Sequence, residues 1–292
     1  MFGLLNVNKP VGPTSHDVVA RVRRVLGRKV KVGHAGTLDP FASGVLVVCV
    51  GPATRLAEYV VGQPKQYVAE VTFGATSTTD DVEGQLTPTS APPPSPADLE
   101  AAISEFIGTI DQVPPAHSAV HVNGRRAYQL AREDRPVELP ARPVRIDAIE
   151  LMDSAPNRAT LRIDCHTGTY IRALARDLGS RLGCGGYCSA LMRTRVGNFE
   201  LAHAVALDTL NRADLPAALL DARLAVADMP TAVLDAAAVA GIRLGRAAAG
   251  RTDADAGAEV AALDDNGRLI ALCRVETDRR RVRPVKVFPE NA

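Results

Sequence analysis

The 292-residue sequence contains no tryptophan, only five tyrosines and six phenylalanines, so each aromatic residue in a polar segment is a functional candidate. Its five cysteines are an odd number without a C-x-x-C pair, which is typical of reduced thiols in the cytoplasm. No apolar run approaches the roughly 18 residues that a membrane-spanning helix needs. The first residues have neither the basic start nor the long apolar stretch of a secretory signal. We therefore expect a cytoplasmic protein that makes no contact with a membrane.

Several familiar site motifs are missing as well. The sequence has no G-x-x-x-x-G-K-[ST] phosphate loop, no G-x-G-x-x-G after a strand, no H-E-x-x-H and no set of four zinc-type cysteines. His117 and His121 are four residues apart, but without a third ligand they are a weak metal signal. With 34 basic and 33 acidic residues the formal net charge is only +1, which excludes a polycationic coat but permits a local basic groove.

The distribution of apolar and turn residues predicts a large mixed domain followed by a small one. Hydrophobic residues make up 46% of the chain, which is enough for a sizeable core. Thr14 and Asp17 form a capping box that begins a helix, and Gly27 ends it. The unbroken apolar run at 44–50 predicts a strand covered on both faces. Short strand signals and alanine-rich sequence begin near residue 228, so we predict a small β-rich unit from there.

The densest chemical signal is GHAGTLDPFASGVL at residues 33–46, which leads directly into the buried strand. Its three glycines allow close approach by another backbone. Asp39 precedes Pro40, which biases the aspartate towards an extended or turn conformation. Spacing alone leaves two interpretations open. The carboxylate closes a local Asx-turn, or it is a catalytic group presented by a rigid loop.

A second dense segment is DCHTGTYIRALARD at residues 164–177. Gly168 and Thr169 are placed to cap the helix that follows, with Tyr170 and Arg172 at its start. On the simplest interpretation, Tyr170 packs in the core and Arg172 is exposed to solvent. A cation is mildly unfavourable at a helix N-terminus, however, so the arginine there indicates a carboxylate partner.

Together these segments resemble the bacterial TruB family of tRNA pseudouridine synthases. The resemblance rests on LLNVNKPVGPTSHDVV at 4–19, GHAGTLDPFASGVL at 33–46, QYVAEVTFGATSTTDDVEG at 66–84, PPAHSAVHVNGRRAYQLAR at 114–132 and CHTGTYIRALARDLGSRLGCGGYCSALMRTRVGNF at 165–199. It implies an α+β fold with a mixed, largely antiparallel central sheet, flanking helices and a catalytic cleft. It also implies a catalytic domain over 1–227, with an RNA-clamping arm at about 109–142, and a PUA-like RNA-binding domain over 228–292.

The resemblance implies that the chain isomerises uridine at position 55, in the T-loop of tRNA, to pseudouridine. The enzyme flips the base out, breaks the C1′–N1 bond, rotates the uracil and joins C5 to C1′. The reaction needs no metal and no organic cofactor. The expected partner is the T-arm and T-loop of tRNA, and we expect no obligate protein partner.

Three residues match the family's catalytic positions. Asp39 matches the essential aspartate, which acts as a nucleophile or stabilises an oxocarbenium-like centre and removes a ribose proton. Arg172 matches its arginine partner, so we predict an ion pair between the two. Tyr67 matches the active-site tyrosine, whose ring stacks on the uracil and whose hydroxyl can transfer a proton. Without the resemblance, Tyr67 reads equally well as a core residue on the inner face of a strand.

Further positions match the family's substrate contacts. His34 matches the histidine that supports the loop after the base has flipped, and Asp81 matches an acidic residue near the cleft. The adjacent Asp80 leaves that second match open. Tyr170 and Leu191 are expected to wall the uracil pocket, and Arg193 to hold a phosphate or the edge of the pocket.

Electrostatics should supply the rest of the RNA affinity. Basic residues cluster at 21–31, at 125–145 and at 279–286, which predicts segregation of charge in a chain that is nearly neutral overall. A non-catalytic RNA-binding or tRNA-folding module is the alternative function. A third hypothesis, an aspartate-dependent hydrolase, is disfavoured because the sequence offers no second well-placed carboxylate and no metal motif.

Overall fold

The structure is a computed structural model that describes residues 1–292 except 28, 119–120, 123–124, 127–138, 278–279 and 290–292. Of residues 121, 122, 125 and 126 it describes the backbone alone. Much of the predicted arm at 109–142 therefore lies outside the described residues. The same holds for Arg28, Arg132, Arg135 and Arg279 of the predicted basic clusters.

Among the described residues, ten strands form one mixed sheet. Eight follow each other across the sheet in the order β14 (Val205–Ala206), β1 (Gly3–Lys9), β3 (Ala42–Val50), β12 (Gly186–Val196), β4 (Lys65–Phe73), β11 (Arg158–Cys165), β10 (Arg142–Ala155) and β7 (Gly108–Gln112). The strand β2 (Val32–His34) pairs with β3, and β13 (Phe199–Glu200) pairs with β12. Pairing is parallel between β1 and β14 and between β3 and β12, and antiparallel elsewhere. The predicted mixed, largely antiparallel sheet is confirmed.

A second sheet forms near the C-terminus. Its strands lie in the order β15 (Thr231–Leu234), β17 (Glu259–Asp264), β18 (Leu269–Val275), β19 (Arg281–Val287) and β16 (Ala248–Ala249). Two short hairpins complete the strands of the described residues. They pair β5 (Ala75–Ser77) with β6 (Leu86–Pro88), and β8 (His121–Val122) with β9 (Arg125–Arg126).

Helices flank the large sheet and the second sheet. They are α1 (Ser15–Leu26), α2 (Ala57–Gly62), α3 (Pro96–Ser104), α4 (Ile171–Arg181), α5 (Leu215–Ala218) and α6 (Ala236–Arg243), with 3-10 turns at Gly51–Leu56, Leu201–His203 and Ala222–Val226. The capping box that begins α1 is confirmed, since Asp17 N donates to Thr14 Oγ1 and Thr14 N donates to Asp17 Oδ2. Within the described part of the chain, every helix is too short or too polar to cross a membrane.

The strand β3 is buried on both faces, as its unbroken apolar run predicts. Leu46 and Val48 belong to the core beneath α1 and α4, while Val45 and Val47 belong to a second core on the other face. That second core also contains Leu272 and other residues of the C-terminal sheet. The C-terminal sheet therefore packs directly on the large sheet through apolar contacts.

The predicted cap of α4 is wrong. Gly168 and Thr169 do not cap this helix, whose N-cap residue is Tyr170 without a side-chain capping bond. Gln112 on β7 serves instead, because its Oε1 accepts from Tyr170 N at 2.8 Å and its Nε2 donates to Tyr170 O at 3.2 Å. The partner is 58 residues away in the sequence, so local spacing could not reveal it.

Candidate active site

All eight predicted site residues line one cavity of about 750 Å³ beside the large sheet. They are His34, Asp39, Tyr67, Asp81, Tyr170, Arg172, Leu191 and Arg193. The start of α1, the β2–β3 loop, β4, the start of α4 and β12 supply the surrounding walls. The volume falls in the range that suits a nucleoside-sized ligand.

The loop that carries Asp39 is held by buried polar contacts. Ser15 Oγ, at the start of α1, donates to Leu38 O at 3.0 Å and accepts from Leu38 N at 2.8 Å. The turn after the aspartate closes through backbone, since Ala42 N donates to Asp39 O at 3.1 Å. Lys9 Nζ donates to Pro40 O at 3.3 Å. The carboxylate is thus presented by a fixed loop, and the turn closes through its backbone oxygen.

Arg172 ties this loop to three other segments. Its Nε lies 2.9 Å from Asp39 Oδ2, and its Nη1 lies 3.0 Å from Asp81 Oδ2. Nη1 also donates to Thr79 O, and Nη2 donates to His117 O, both at 2.9 Å. Arg172 is buried, with 4% of its surface exposed. A planar guanidinium with several donors is the group best suited to hold a carboxylate in a fixed orientation.

The two neighbouring aspartates have separate partners. Asp81 forms an ion pair with Arg172, and its Oδ1 also accepts hydrogen bonds from Thr79 Oγ1 at 2.5 Å and from Glu83 N at 3.0 Å. Asp80 pairs instead with Arg176 at 2.8 Å. Asp81 is thus a second carboxylate beside the Asp39–Arg172 pair, in the cleft where the resemblance implies an acidic residue. Because donors bind both oxygens of Asp81, this second carboxylate holds the guanidinium in place.

Burial and charge act in opposite directions on Asp39. Burial raises the pKa of its carboxyl, and the Arg172 guanidinium opposes that rise without cancelling it. The negative charge of Asp81 adds to the upward shift of the Asp39 pKa. The net direction of the Asp39 pKa shift is upward.

Tyr67 and Arg193 lie at the sheet side of the cavity. Tyr67 is buried on β4, and burial raises the pKa of its hydroxyl, so the phenol stays protonated at neutral pH. Arg193 donates from Nε to Val45 O at 2.8 Å, and from its Nη atoms to Thr37 O at 3.3 Å and Gly36 O at 3.2 Å. Of the two roles considered for Arg193, these contacts favour holding the edge of the pocket.

Two histidines meet at the rim of the cavity. The rings of His16 and His34 are 6.4 Å apart in an edge-on arrangement. Burial lowers the pKa of His34, and the nearby His16 and Arg193 lower it further. The His34 imidazole is therefore neutral at physiological pH. The sequence interpretation did not include His16, which stands in the capping box of α1 and offers no catalytic signal of its own.

Other lining residues were also missed. Lys65 is two residues before Tyr67 on β4, so the period-2 rule for strands could have found it. Burial lowers its pKa to about 8. Ser118 and His166 line the cavity from irregular segments, where no periodicity points to them.

Within the described residues, no group of three or more histidines, cysteines, aspartates or glutamates is arranged to hold a metal ion. The side chain of His121, one half of the weak His117–His121 signal, lies outside the described residues.

Comparison with known proteins fits this geometry. The family model described as TruB family pseudouridylate synthase (N terminal domain) matches residues 23–171. The model described as tRNA pseudouridylate synthase B C-terminal domain matches residues 172–230. The chain is 46% identical to a Mycobacterium tuberculosis protein named tRNA pseudouridine synthase B, over 98% of each chain. It is 49% identical to a Leifsonia xyli protein of the same name, over 72% of each chain.

Solved structures share the architecture. The chain superposes with a TM-score of 0.76 and 26% identity on a protein of an H/ACA ribonucleoprotein bound to a substrate RNA containing 2′-deoxyuridine, covering 99% of this chain and 86% of that one. A Cbf5-Nop10-Gar1 complex gives a TM-score of 0.75 and 27% identity, covering 99% and 84%. Fold and cavity together define a pseudouridine synthase, an enzyme of the isomerase class. The chain belongs to the TruB family of pseudouridylate synthases.

Proposed function

We propose that the chain converts uridine 55 in the T-loop of tRNA to pseudouridine, with Asp39 as the essential carboxylate. The observation that carries the proposal is the contact of 2.9 Å between Asp39 Oδ2 and Arg172 Nε inside a cavity that Tyr67 also lines. The name of the relatives, tRNA pseudouridine synthase B, supports tRNA as the substrate.

The chemistry is a rearrangement within one nucleotide. The C1′–N1 bond breaks, the uracil rotates, and a C5–C1′ bond forms, while C5 loses its hydrogen as a proton and N1 gains a proton. Asp39 attacks C1′, attacks C6 of the base, or removes a ribose proton in an elimination. All three routes need a carboxylate at the junction of sugar and base, and Arg172 stabilises its charged form.

The remaining lining residues have supporting roles. Tyr67 stacks on the uracil, and its protonated hydroxyl is available as a donor during the rearrangement. Tyr170 and Leu191 wall the uracil pocket, and Asp81 fixes Arg172. Because the target base is stacked within the RNA loop, it must flip out, which costs a few kcal/mol. The neutral His34 is suited to occupy the space that the base leaves.

Exposed basic residues lie on α1 and on the loop that follows it. The first turn of α1 lines the cavity, and exposed cations follow along the same helix and the next loop. They are Arg23, Arg24, Lys29 and Lys31. Exposed cations on an element that also lines the cavity suit the phosphate backbone of the T-arm.

We also propose that residues 1–227 form the catalytic domain and that residues 228–292 form a PUA-like RNA-binding domain. The second sheet, from Thr231 to Val287, supports this division. Lys286, from the third basic cluster, donates to the Tyr59 hydroxyl and lies over the Tyr59 ring on α2. It is therefore less available to bind RNA phosphates than the sequence alone implies. The protein acts in the cytoplasm on tRNA and without an obligate protein partner.

The test is a conversion assay with the purified chain alone. A T-arm RNA that carries tritium at C5 of its target uridine releases the label when the C5–C1′ bond forms. We expect complete release without added metal, and none when the label is on a uridine elsewhere in the stem. Binding without release would support the alternative, a non-catalytic RNA-binding module.

A further inference from the structure

Ser118 is a buried residue of the cavity wall to which the proposed reaction gives no role. Only 4% of its surface is exposed, and it lines the same cavity as Asp39. Its Oγ has no hydrogen-bond partner in the described part of the chain. A buried hydroxyl without a partner is unfavourable in a folded protein, so such a group calls for a ligand or another specific explanation.

Ser118 differs from the other buried polar atoms that lack partners. Thr169 Oγ1 has the Cys165 thiol beside it. Within the lining of the cavity, His34 has the ring of His16 against it. Asn6, Arg21 and Gln63 also carry such atoms, but none of these residues lines the cavity.

The position of Ser118 relative to Asp39 follows from the geometry of Arg172. Nε of the guanidinium binds Asp39 Oδ2, and Nη2 binds the carbonyl of His117, both at 2.9 Å. One guanidinium therefore binds both Asp39 and the residue that directly precedes Ser118. Ser118 also lines the same cavity as Asp39, so its side chain belongs to the site where Asp39 is proposed to act.

We propose that the Ser118 hydroxyl hydrogen-bonds to a polar atom of the target nucleotide beside the glycosidic bond. This rests on the proposed function, in which Asp39 acts at that bond. The polar atoms nearest to it on a uridine are the ribose 2′-hydroxyl and O2 of the uracil. A serine hydroxyl bonds either one, since it both donates and accepts. Rotation about its Cα–Cβ bond, between staggered rotamers, directs it into the cavity when the nucleotide is present.

The variant Ser118→Ala tests the proposal because it removes an oxygen that has no hydrogen-bond partner among the described residues. We expect kcat/KM on T-arm RNA to fall about tenfold, as for the loss of one hydrogen bond. The melting temperature of the free protein should stay the same or rise. A purely structural role would lower that temperature instead.

Ser189→Ala is the matched control. Its hydroxyl lies outside the cavity lining, where it donates to Glu70 Oε1 and accepts from Thr72 Oγ1, both at 2.8 Å. This variant should lower the melting temperature and leave kcat/KM unchanged.

Two modified RNAs identify the bonded atom, one with 2′-deoxyuridine and one with 2-thiouridine at the target position. The ratio of wild-type to Ser118→Ala kcat/KM should collapse to about one on the RNA that lacks the bonded atom. Where a modified RNA is not converted, the dissociation constants of the wild-type chain and of Ser118→Ala for that RNA are compared instead of kcat/KM. An equal tenfold ratio on both RNAs, or full activity of Ser118→Ala on uridine, would overturn the inference. Failure of the wild-type chain to make pseudouridine would overturn the proposed function itself and this inference with it.

Discussion

Asp39 is subject to two opposing influences, burial that disfavours its charge and the Arg172 guanidinium that favours it. Burial is the larger of the two, so the pKa of the free enzyme's carboxyl lies above the ordinary value for an aspartate. All three chemical routes require the ionised form. The carboxyl that we propose as the reactive group is therefore closer to its protonated state than that of a surface aspartate.

This shift has a consequence for the pH dependence of kcat/KM. A raised pKa means that the carboxyl of the free enzyme takes up a proton at a higher pH than the ordinary value near 3.9. We expect kcat/KM to fall on the acid side at a pH clearly above that value. The measurement is conversion of T-arm RNA against pH, with circular dichroism at each pH to monitor folding. Full kcat/KM at pH 4 in a folded protein would be incompatible with the expected environment of Asp39.

The variant Tyr67→Phe separates the two roles of the tyrosine. The ring remains, so stacking and RNA affinity should be retained, while a proton-transferring hydroxyl is lost. Because burial keeps that hydroxyl protonated, we expect kcat to fall about 100-fold, the lower end of typical proton-transfer contributions. Single-turnover conversion together with a filter-binding titration measures both quantities. An unchanged rate would leave stacking as the sole contribution of Tyr67.

At the residue scale, the sequence reveals groups that stand in dense motifs and misses groups that do not. Asp39 and Arg172 each lie in a segment rich in glycine and polar residues. Ser118 lies within the segment 114–132 that carries part of the resemblance, but no periodicity marks it, and its lack of a partner among the described residues is visible only in three dimensions. The upward pKa shift of Asp39 was also beyond prediction, since it depends on burial by distant segments.

Among the elements, the parallel pairing of β3 and β12 is the contact on which the cavity depends most. Gly44 on β3 pairs with Arg193 on β12 and has a φ of +101°. A Cβ atom at Gly44 would lie 2.2 Å from the carbonyl oxygen of Arg193. The close backbone approach expected from the glycines of the motif therefore occurs at Gly44, where it positions the arginine that holds the β2–β3 loop.

Gly44→Ala should consequently disrupt both stability and activity. The new methyl group meets backbone, and the positive φ is unfavourable for alanine, so we expect a loss of at least about 2 kcal/mol in the free energy of unfolding. Gly33→Ala is the control in the same motif. A Cβ atom there would lie 3.8 Å from the nearest atom, Thr54 Cγ2, and Gly33 is not among the glycines with a positive φ. Denaturant titration of both variants measures the difference. Equal free energies of unfolding for the two variants would show that β3 and β12 can move apart at Gly44 at little cost.

Elements with a local signal were predictable, and those that depend on distant partners were not. The helix α1 begins where its capping box indicates, and β3 is covered on both faces as its apolar run requires. The helix α4 starts where expected, but its cap was misassigned, because the N-cap residue Tyr170 is held through its backbone by Gln112 on another strand. Local sequence contains no information about such a partner.

For the whole molecule, the notable property is segregation of charge in a nearly neutral chain. The formal net charge is +1, yet α1 and the loop after it present several exposed cations.

The packing of the C-terminal sheet on the large sheet is also a property of the whole molecule. The ring of Phe288 stacks on Phe2 at 5.1 Å, a contact between the two ends of the chain that no local pattern predicts.

RNA affinity should therefore depend on salt through the cations near α1. The double variant Arg24→Gln, Lys31→Gln should weaken binding of all T-arm RNAs and reduce the slope of log Kd against log salt by about two, one for each phosphate contact. Arg181→Gln is the control, since this arginine is exposed at the far end of α4 and paired with Glu105. A slope unchanged by the double variant would locate the RNA surface elsewhere.

We propose that the Asp39 carboxylate performs the chemistry, and the variant Asp39→Asn removes that group with little other change. The amide keeps the shape of the side chain and removes its charge and its reactivity. Tritium release and RNA binding should be measured on the same preparation. We predict that turnover falls at least about a thousandfold while the dissociation constant for T-arm RNA changes less than about threefold. Turnover near the wild-type rate in Asp39→Asn would show that the carboxylate of Asp39 is not needed for the reaction.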